Sequence, residues 1–298
     1  MSQDQSVLIT GSSSGFGFLM TRTLLENGHT VYASMRNLSG KNSGKADELK
    51  EAAQEKSGTL HFVELDVTDD ASVEKAVNGI LSDGGQIDVV VNNAGYGSGG
   101  YTEGFTSDQV HRIFDVNVYG VHRVNRAVLP SMRERGSGLL IHISSVMGRI
   151  VLPFAALYTA SKYALEGYAE SLRYELSGTG VDSVIIQPGG FMTGFLGNMD
   201  QPSDAARIES YGALKDVPDQ FWGGLGQALQ SDDTPDPQEV ADAVLKYVQT
   251  PAGERPLRTV VDPLSGGEGP TAINAMTDQI QEQILDGVGM GHLLSLKK

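Results

Sequence analysis

The chain has 298 residues, with 22 Lys plus Arg against 37 Asp plus Glu, a formal charge of −15. That acidic balance argues against nucleic acid and anionic membranes as partners, since both call for a basic surface. Hydrophobic residues at 40% and charged residues at 20% exclude a largely disordered chain, and the absence of cysteine excludes a disulfide framework, a thiol nucleophile and a zinc ribbon.

The elements alternate from the start. The opening MSQDQSVLIT has no basic segment and no long apolar stretch, so no signal peptide is expected. No later run reaches the ~18 apolar residues of a membrane span, and a cytoplasmic protein is expected. An apolar run at 6–10 ends in a glycine-rich turn, and a helical stretch carrying Phe18, Leu19, Thr23 and Leu24 follows. Strand-like runs recur at 30–34, 60–65 and 87–91, with helices at about 46–56 and 71–81 between them. Thr106 and Gln109 match a capping box and open a helical region reaching about residue 135. A fifth strand at 139–143, a long helix at 156–177 and a sixth strand at 181–187 come next, the last stopped by Pro188-Gly189-Gly190. Asp236, Pro237 and Glu239 signal a helix start, and 257–261 is a seventh strand. Short apolar strands separated by helices read as βαβ units with a parallel sheet buried on both faces. The expectation is an α/β fold, one doubly wound domain over 1–298 with about seven strands. Residues 191–235 form an irregular insertion placed as a lid, and a helical tail from about 271 packs on the body or on another subunit.

The turn Thr10-Gly-Ser-Ser-Ser-Gly-Phe-Gly17 lies between the first strand and the first helix. Gly11 permits a tight turn, Gly15 a close backbone approach, and Gly17 close helix–strand packing, with the helix N-terminus facing a pyrophosphate. The same residues spell G-x-S-x-G through Gly11, Ser13 and Gly15, the strand-to-helix elbow of serine hydrolases. That rival needs a later acid and then a histidine, and only His292 lies beyond residue 142. The six histidines (His29, His61, His111, His122, His142 and His292) form no HxxxH or HxH pair, so no metal site is expected. The second strand ends Ser34-Met35-Arg36. An NAD site places a carboxylate there. An uncharged position followed by Arg suits a 2′-phosphate instead, unless Arg36 is a solvated surface residue. Asp66 either accepts from an adenine amine or caps the next helix.

Tyr158 and Lys162 lie four apart on one helix face. A free phenol has a pKa near 10, and a nearby ammonium lowers it toward a useful acid/base range. Ser145 follows the fifth strand directly, at the edge where open α/β sheets bind ligands.

Together these motifs resemble the short-chain dehydrogenase/reductase family. The matching pieces are TGSSSGFG at 10–17, Asp66, NNAG at 92–95, Asn117 in DVNVYG, Ser145 in ISSVMG, Tyr158 and Lys162 in YTASK, and PGG at 188–190. They fall in order over about residues 6–195. VYASMR at 31–36, LPSMRERGSG at 129–138, LPFAALYTASKYALEGYAESL at 152–172 and Thr193-Gly-Phe195 look most like the 17β-hydroxysteroid and retinol dehydrogenase branch. The 191–235 segment has no His to grip the far end of a steroid, so steroid specificity is not implied.

The resemblance implies an oxidoreductase that moves a hydride between NADP(H), preferred over NAD(H), and a carbonyl or secondary alcohol. Tyr158 would be the acid/base, Ser145 would hold the carbonyl oxygen, and Lys162 would tune Tyr158 and bind the nicotinamide ribose. Asn117 would hold a water reaching Lys162. Gly11, Ser13, Ser14, Gly15, Phe16 and Gly17 would cradle the phosphates, with Arg36, Asp66, Val67, Asn92, Ala94 and Gly95 on the adenosine side. Pro188, Gly189 and Thr193 would flank the nicotinamide, while Asn93 braces strands. A small-molecule substrate and a homodimer or homotetramer are also implied. A non-catalytic dinucleotide-binding protein on the same fold is the alternative. Met147 and Arg149 border the pocket or serve the loop, and His142 is a core or subunit-facing residue. The aromatic and apolar side chains of 191–235 either shape a pocket or pack ordinarily.

Overall fold

The computed structural model describes residues 4–230 and 234–296. Positions 231–233 of the expected lid and 297–298 of the tail lie outside the described residues. Among the described residues one parallel sheet contains β1 (Ser6–Ile9), β2 (Thr30–Met35), β3 (Thr59–Glu64), β4 (Val89–Asn92), β5 (Gly138–Ile143), β6 (Val181–Pro188) and β7 (Arg258–Val261). Their order is β3-β2-β1-β4-β5-β6-β7. The helices are α1 (Gly15–Glu26), α2 (Ser43–Ala52), α3 (Asp70–Ser82), α4 (Ser107–Phe114), α5 (Gly120–Arg135), α6 (Ala156–Leu176), α7 (Ala205–Glu209), α8 (Val217–Ala228), α9 (Gln238–Gln249) and α10 (Glu268–Gly287).

The continuous apolar runs divide by parity, as a strand's period of two requires. Val7, Ile9, Val89, Val91, Leu139 and Ile141 pack with Met20 and Leu24 of α1 and Val240 and Val244 of α9. Leu8, Val90 and Leu140 pack on the other side with α3, α5 and α6 through Val77, Val124, Val128 and Leu172. This is the doubly wound Rossmann arrangement expected from the sequence. The chain winds outward from β1 to β3, then crosses back to β4. The crevice between the ends of β1 and β4 is therefore the topological switch point, where such sheets bind ligands.

Local signals explain the element ends. Thr106 Oγ1 accepts from Gln109 N at 3.3 Å and Gln109 Oε1 accepts from Thr106 N at 3.1 Å, closing the capping box of α4. Asp236 Oδ1 accepts from Gln238 N at 2.9 Å at the start of α9. The expected helical region from 106 to 135 contains α4 and α5, joined by a π turn at Asp115–Tyr119, where the N–H of Gly120 reaches the carbonyl of Asp115, five residues back. The 191–235 segment contains α7 and α8, and α10 starts three residues before the expected tail.

Candidate active site

The glycine turn is held by backbone and hydroxyl groups. Thr10 Oγ1 accepts from Asn93 N and Ala94 N, both at 3.0 Å, and Asn93 Nδ2 donates to Thr10 O at 2.8 Å and Gly11 O at 3.1 Å. Asn93 thus ties the turn to the end of β4. Gly11 has φ +72° and Gly15 φ +54°, left-handed values that favour glycine. A Cβ on Gly17 would run into the Gly11 carbonyl, while one on Gly15 would meet only Thr193 Cβ at 3.9 Å. Ser14 precedes α1 with its side chain making no cap bond, so the first N–H groups of α1 face a gap bounded by Gly15 and Thr193. This cradle fits a pyrophosphate. Ser13 is half-buried and Ser14 exposed. No histidine bonds Ser13 among the described residues, and His292 sits in the distant turn Gly291–Leu294.

The adenosine side holds Arg36, Asp66 and Asn92 in three different ways. Ser34 and Met35 are buried, so Arg36 is the first exposed side chain after β2, and it lies 3.9 Å from Asp66 Oδ2. Asp66 Oδ1 accepts from Thr68 N at 2.9 Å and Thr68 Oγ1 at 2.8 Å, and the cap of α3 is Asp69, which accepts from Ala71 N. Asn92 turns its amide into the core, donating to Asn125 Oδ1 at 2.8 Å beside His142, so it has only backbone to offer a nucleotide. His142 is a core residue whose pKa burial pulls down to about 3. Ala94 and Gly95 face the crevice side, with Gly95 exposed and Val67 buried against Gly120.

Ser145, Tyr158 and Lys162 come together at the end of β5, each less than a tenth exposed. Ser145 Oγ accepts from Met147 N at 3.1 Å and starts the turn Val146–Gly148. Lys162 Nζ donates to Ile143 O at 2.8 Å and lies 5.6 Å from the centre of the Tyr158 ring. Burial pushes the Tyr158 phenol up to about 12, with a hydrogen bond from Ser145 pulling the other way. Burial pulls Lys162 down to about 8, against an upward pull from Glu166. The expected polarisation of the phenol by the ammonium does not set its pKa. Both groups share one desolvated site, and the ammonium is turned to a carbonyl.

Asn117 lies in the π turn. Its Oδ1 accepts from Tyr96 N at 3.1 Å, and its Nδ2 donates to Tyr96 O and Ser161 Oγ, both at 3.0 Å. Both amide hydrogens and one acceptor site of the side chain join this turn to α6 and the loop after β4. The lid lies over the phenol: Phe195 meets Tyr158 edge-on at 5.2 Å, and Trp222 Nε1 donates to Phe154 O at 3.3 Å. Gly97 and Gly99 leave room for Phe195, Met199 and Trp222. Gly189 packs so tightly on Asp262 that a Cβ there would strike the carboxylate. Sequence reasoning missed Ser98, whose Oγ accepts from Tyr158 N at 3.2 Å, and the second duty of Gln109. Gln109 Nε2 donates to Asp200 Oδ2 and Gln201 O, fastening the lid to α4. The capping motif identifies Gln109 but not its long-range partners.

A doubly wound sheet with a phosphate-type cradle at its switch point and a buried Ser/Tyr/Lys group beside it defines a dinucleotide-binding class of protein. The family model described as short chain dehydrogenase matches residues 5–204, and the chain belongs to that family. Among curated relatives, a 3-ketodihydrosphingosine reductase of Bacteroides thetaiotaomicron is 36% identical, covering 88% of this chain and 89% of its own. Human 17-beta-hydroxysteroid dehydrogenase type 1 is 36% identical over 82% and 74%, and retinol dehydrogenase 8 of Bos taurus 35% over 82% and 78%, which places the chain near that branch. A short-chain dehydrogenase from Streptomyces avermitilis superimposes with a TM-score of 0.75 at 28% identity, covering 98% and 99%. A gluconate 5-dehydrogenase of Burkholderia cenocepacia in complex with NADP matches at 0.68 and 25% (89% and 95%). A 3-oxoacyl-[acyl-carrier protein] reductase of Brucella melitensis with bound NAD matches at 0.68 and 25% (88% and 90%).

Proposed function

We propose that the chain is an NADP(H)-dependent oxidoreductase interconverting a carbonyl and a secondary alcohol, with Tyr158 as general acid and base. The observation that carries this reading is the burial of Ser145, Tyr158 and Lys162 together at the sheet edge, beside the glycine cradle. The dinucleotide, when bound, supplies or accepts the hydride. Gly11, Ser13, Ser14, Gly15, Phe16 and Gly17 hold its phosphates, and Arg36 receives the 2′-phosphate. Asp66, Val67, Ala94, Gly95 and the backbone of Asn92 line the adenosine side, and Pro188, Gly189 and Thr193 the nicotinamide side.

Ser145 holds the carbonyl oxygen. Tyr158, with its pKa near 12, is a phenol throughout the neutral range and gives its proton to that oxygen as charge develops there. Lys162, with a pKa near 8, exchanges protons close to neutrality and restores the phenol. Asn117 fixes the turn beside Lys162 through which water reaches it. Oxidation runs the same transfers backward. Tyr96, Met147, Leu152, Phe195 and Trp222 surround the phenol with apolar surface, which suits an apolar or bulky substrate. A groove of about 700 Å³ between α5 and α6, lined by His122, Arg126, Pro130 and Tyr168, suits a second copy of the chain.

The test is a panel of aldehydes and ketones with NADPH and NADH, followed by loss of reduced-nicotinamide absorbance. We expect turnover of apolar carbonyls, faster with NADPH. Dinucleotide binding with no turnover of any carbonyl or alcohol would leave the non-catalytic reading.

A further inference from the structure

Helix α6 carries a carboxylate that the reaction above does not use. Glu166 lies one turn beyond Lys162 and is 2% exposed. Its Oε2 accepts from Arg258 Nε at 3.0 Å and lies 3.6 Å from Arg149 Nε, and its Oε1 accepts from Gln187 Nε2 at 2.9 Å. Each neighbour belongs to a different part of the site. Arg149 follows the turn Val146–Gly148 that starts at Ser145. Gly148 sits so close that a Cβ there would come within 2.8 Å of Glu166 Cγ. Gln187 is the residue before the Pro188–Gly189 turn. The helix itself carries Tyr158 and Lys162. A buried carboxylate is tolerated only when its partners are in place. Satisfying Glu166 therefore fixes four chain segments relative to one another: α6, the turn before Arg149, the end of β6 and β7.

The outer shell of this group comes from α10. Asn274 Nδ2 donates to Gln187 Oε1 at 2.7 Å, and Arg258 Nη1 donates to Asp278 Oδ1 at 2.9 Å. Arg258 Nη2 bonds Glu170, whose other oxygen accepts from Tyr174 at 2.7 Å. The two α10 side chains thus touch the two groups that hold Glu166, one on each oxygen.

We propose that Glu166 is a positioning residue for the reaction and that α10, through Asn274 and Asp278, sets its place and with it the register of Ser145, Lys162 and the Pro188–Gly189 turn. The proposal rests on the reading of Tyr158 and Lys162 as the reacting pair. It assigns the C-terminal helix a part in turnover although α10 supplies none of the reacting groups.

The primary test is Asn274→Ala with Asp278→Ala, which leaves the Glu166–Arg258 pair intact. Coupling of this kind changes rates by about tenfold, so kcat should fall about tenfold while KM for the carbonyl changes less than about twofold. Asp278→Glu alone, which keeps the carboxylate, should retain near wild-type kcat. Glu166→Gln keeps shape and one acceptor oxygen and should show the same kcat-selective loss. Hydrogen exchange supplies a readout independent of turnover. In the double variant, amides of 143–149, 158–166 and 187–190 should lose protection while β1 to β3 keep theirs. Unchanged kcat, or lost protection confined to α10 and β7, would overturn the proposal. A wild-type protein inactive on every carbonyl would sink the oxidoreductase reading, and the exchange pattern would still decide whether α10 orders the site.

Discussion

The two halves of the sheet's carboxyl edge are built by opposite means. At the β1–β4 crevice itself the chain presents backbone N–H groups, small hydroxyls and glycines, none of them ionisable, braced by Thr10 and Asn93, and the ion pair of Arg36 with Asp66 stands farther out at the ends of β2 and β3. At the β5–β6 end it buries a phenol, an ammonium and the Arg258–Glu166 pair, with Arg149 and Glu170 half-buried beside them. The first half works by space and the second by charge. A ligand phosphate needs only an open cradle with aligned dipoles, whereas proton transfer needs groups whose protonation is set by their surroundings. The first half should therefore be injured by added atoms, and the second by substitutions that change almost no volume.

Tyr158→Phe is the sharpest test of that contrast. It removes one oxygen from the charged half, and kcat should fall by about 10³-fold, within the range for a lost general acid. The dinucleotide dissociation constant, read by fluorescence titration, should hardly move. Comparable turnover in the variant would break the comparison at its centre. Next in size is Gly17→Val in the spatial half. Its side chain would collide with Gly11 O and Asn93 Nδ2, and overpacking of this sort costs about 1–3 kcal/mol. Denaturant unfolding and dinucleotide titration should both show the loss.

Arg36→Ala follows. The NADPH/NADH ratio of kcat/KM should fall about tenfold, less than a buried charged hydrogen bond would give because the side chain is exposed and salt-screened. Raising the salt should shrink the ratio in the wild type but not in the variant. Met35→Asp is no substitute for this test, since Met35 is packed with Ala33 and Leu49.

A separate effect, on stability rather than turnover, is read against pH. Lys162 has a folded pKa near 8 against 10.5 unfolded, so between these values the unfolded chain holds the extra proton and stability rises with pH. Tyr158, near 12 folded against 10 unfolded, reverses the sign, so stability falls from pH 10 to 12. Lys162→Met should flatten the first slope and leave the second, as read from melting temperatures across the alkaline range.

Much of this was legible in the sequence because strands buried on both faces spell out apolar runs, and because Tyr158 and Lys162 meet across a single helical turn. The failures have two physical origins. At strand ends a one-residue difference in where the strand stops reverses which side chains face the crevice. Asn92 turns its amide to Asn125, whereas Ser34 and Met35 are both buried at the end of β2 and exposure begins at Arg36. Long-range partners leave no local trace. Glu166 is separated by 92 positions from Arg258, and Gln109 by 91 from Asp200. The π turn at 115–119 escaped because no residue type there disrupts the helical pattern.

That turn has a consequence for how the chain can change in length. It adds one residue to a helical path without adding a residue's worth of rotation, so α5 emerges with Val121, Val124, Val128 and Met132 facing the sheet. Deleting one residue between 115 and 119 would restore ordinary winding and leave those four side chains facing the sheet, while Asn117 would lose its place against Tyr96 and Ser161. The core should therefore survive a single-codon deletion here, and the damage should fall on the site beside α6. Libraries that vary length in this turn should return folded but impaired proteins, while the loop at 39–42, exposed for most of its length, should accept such changes freely.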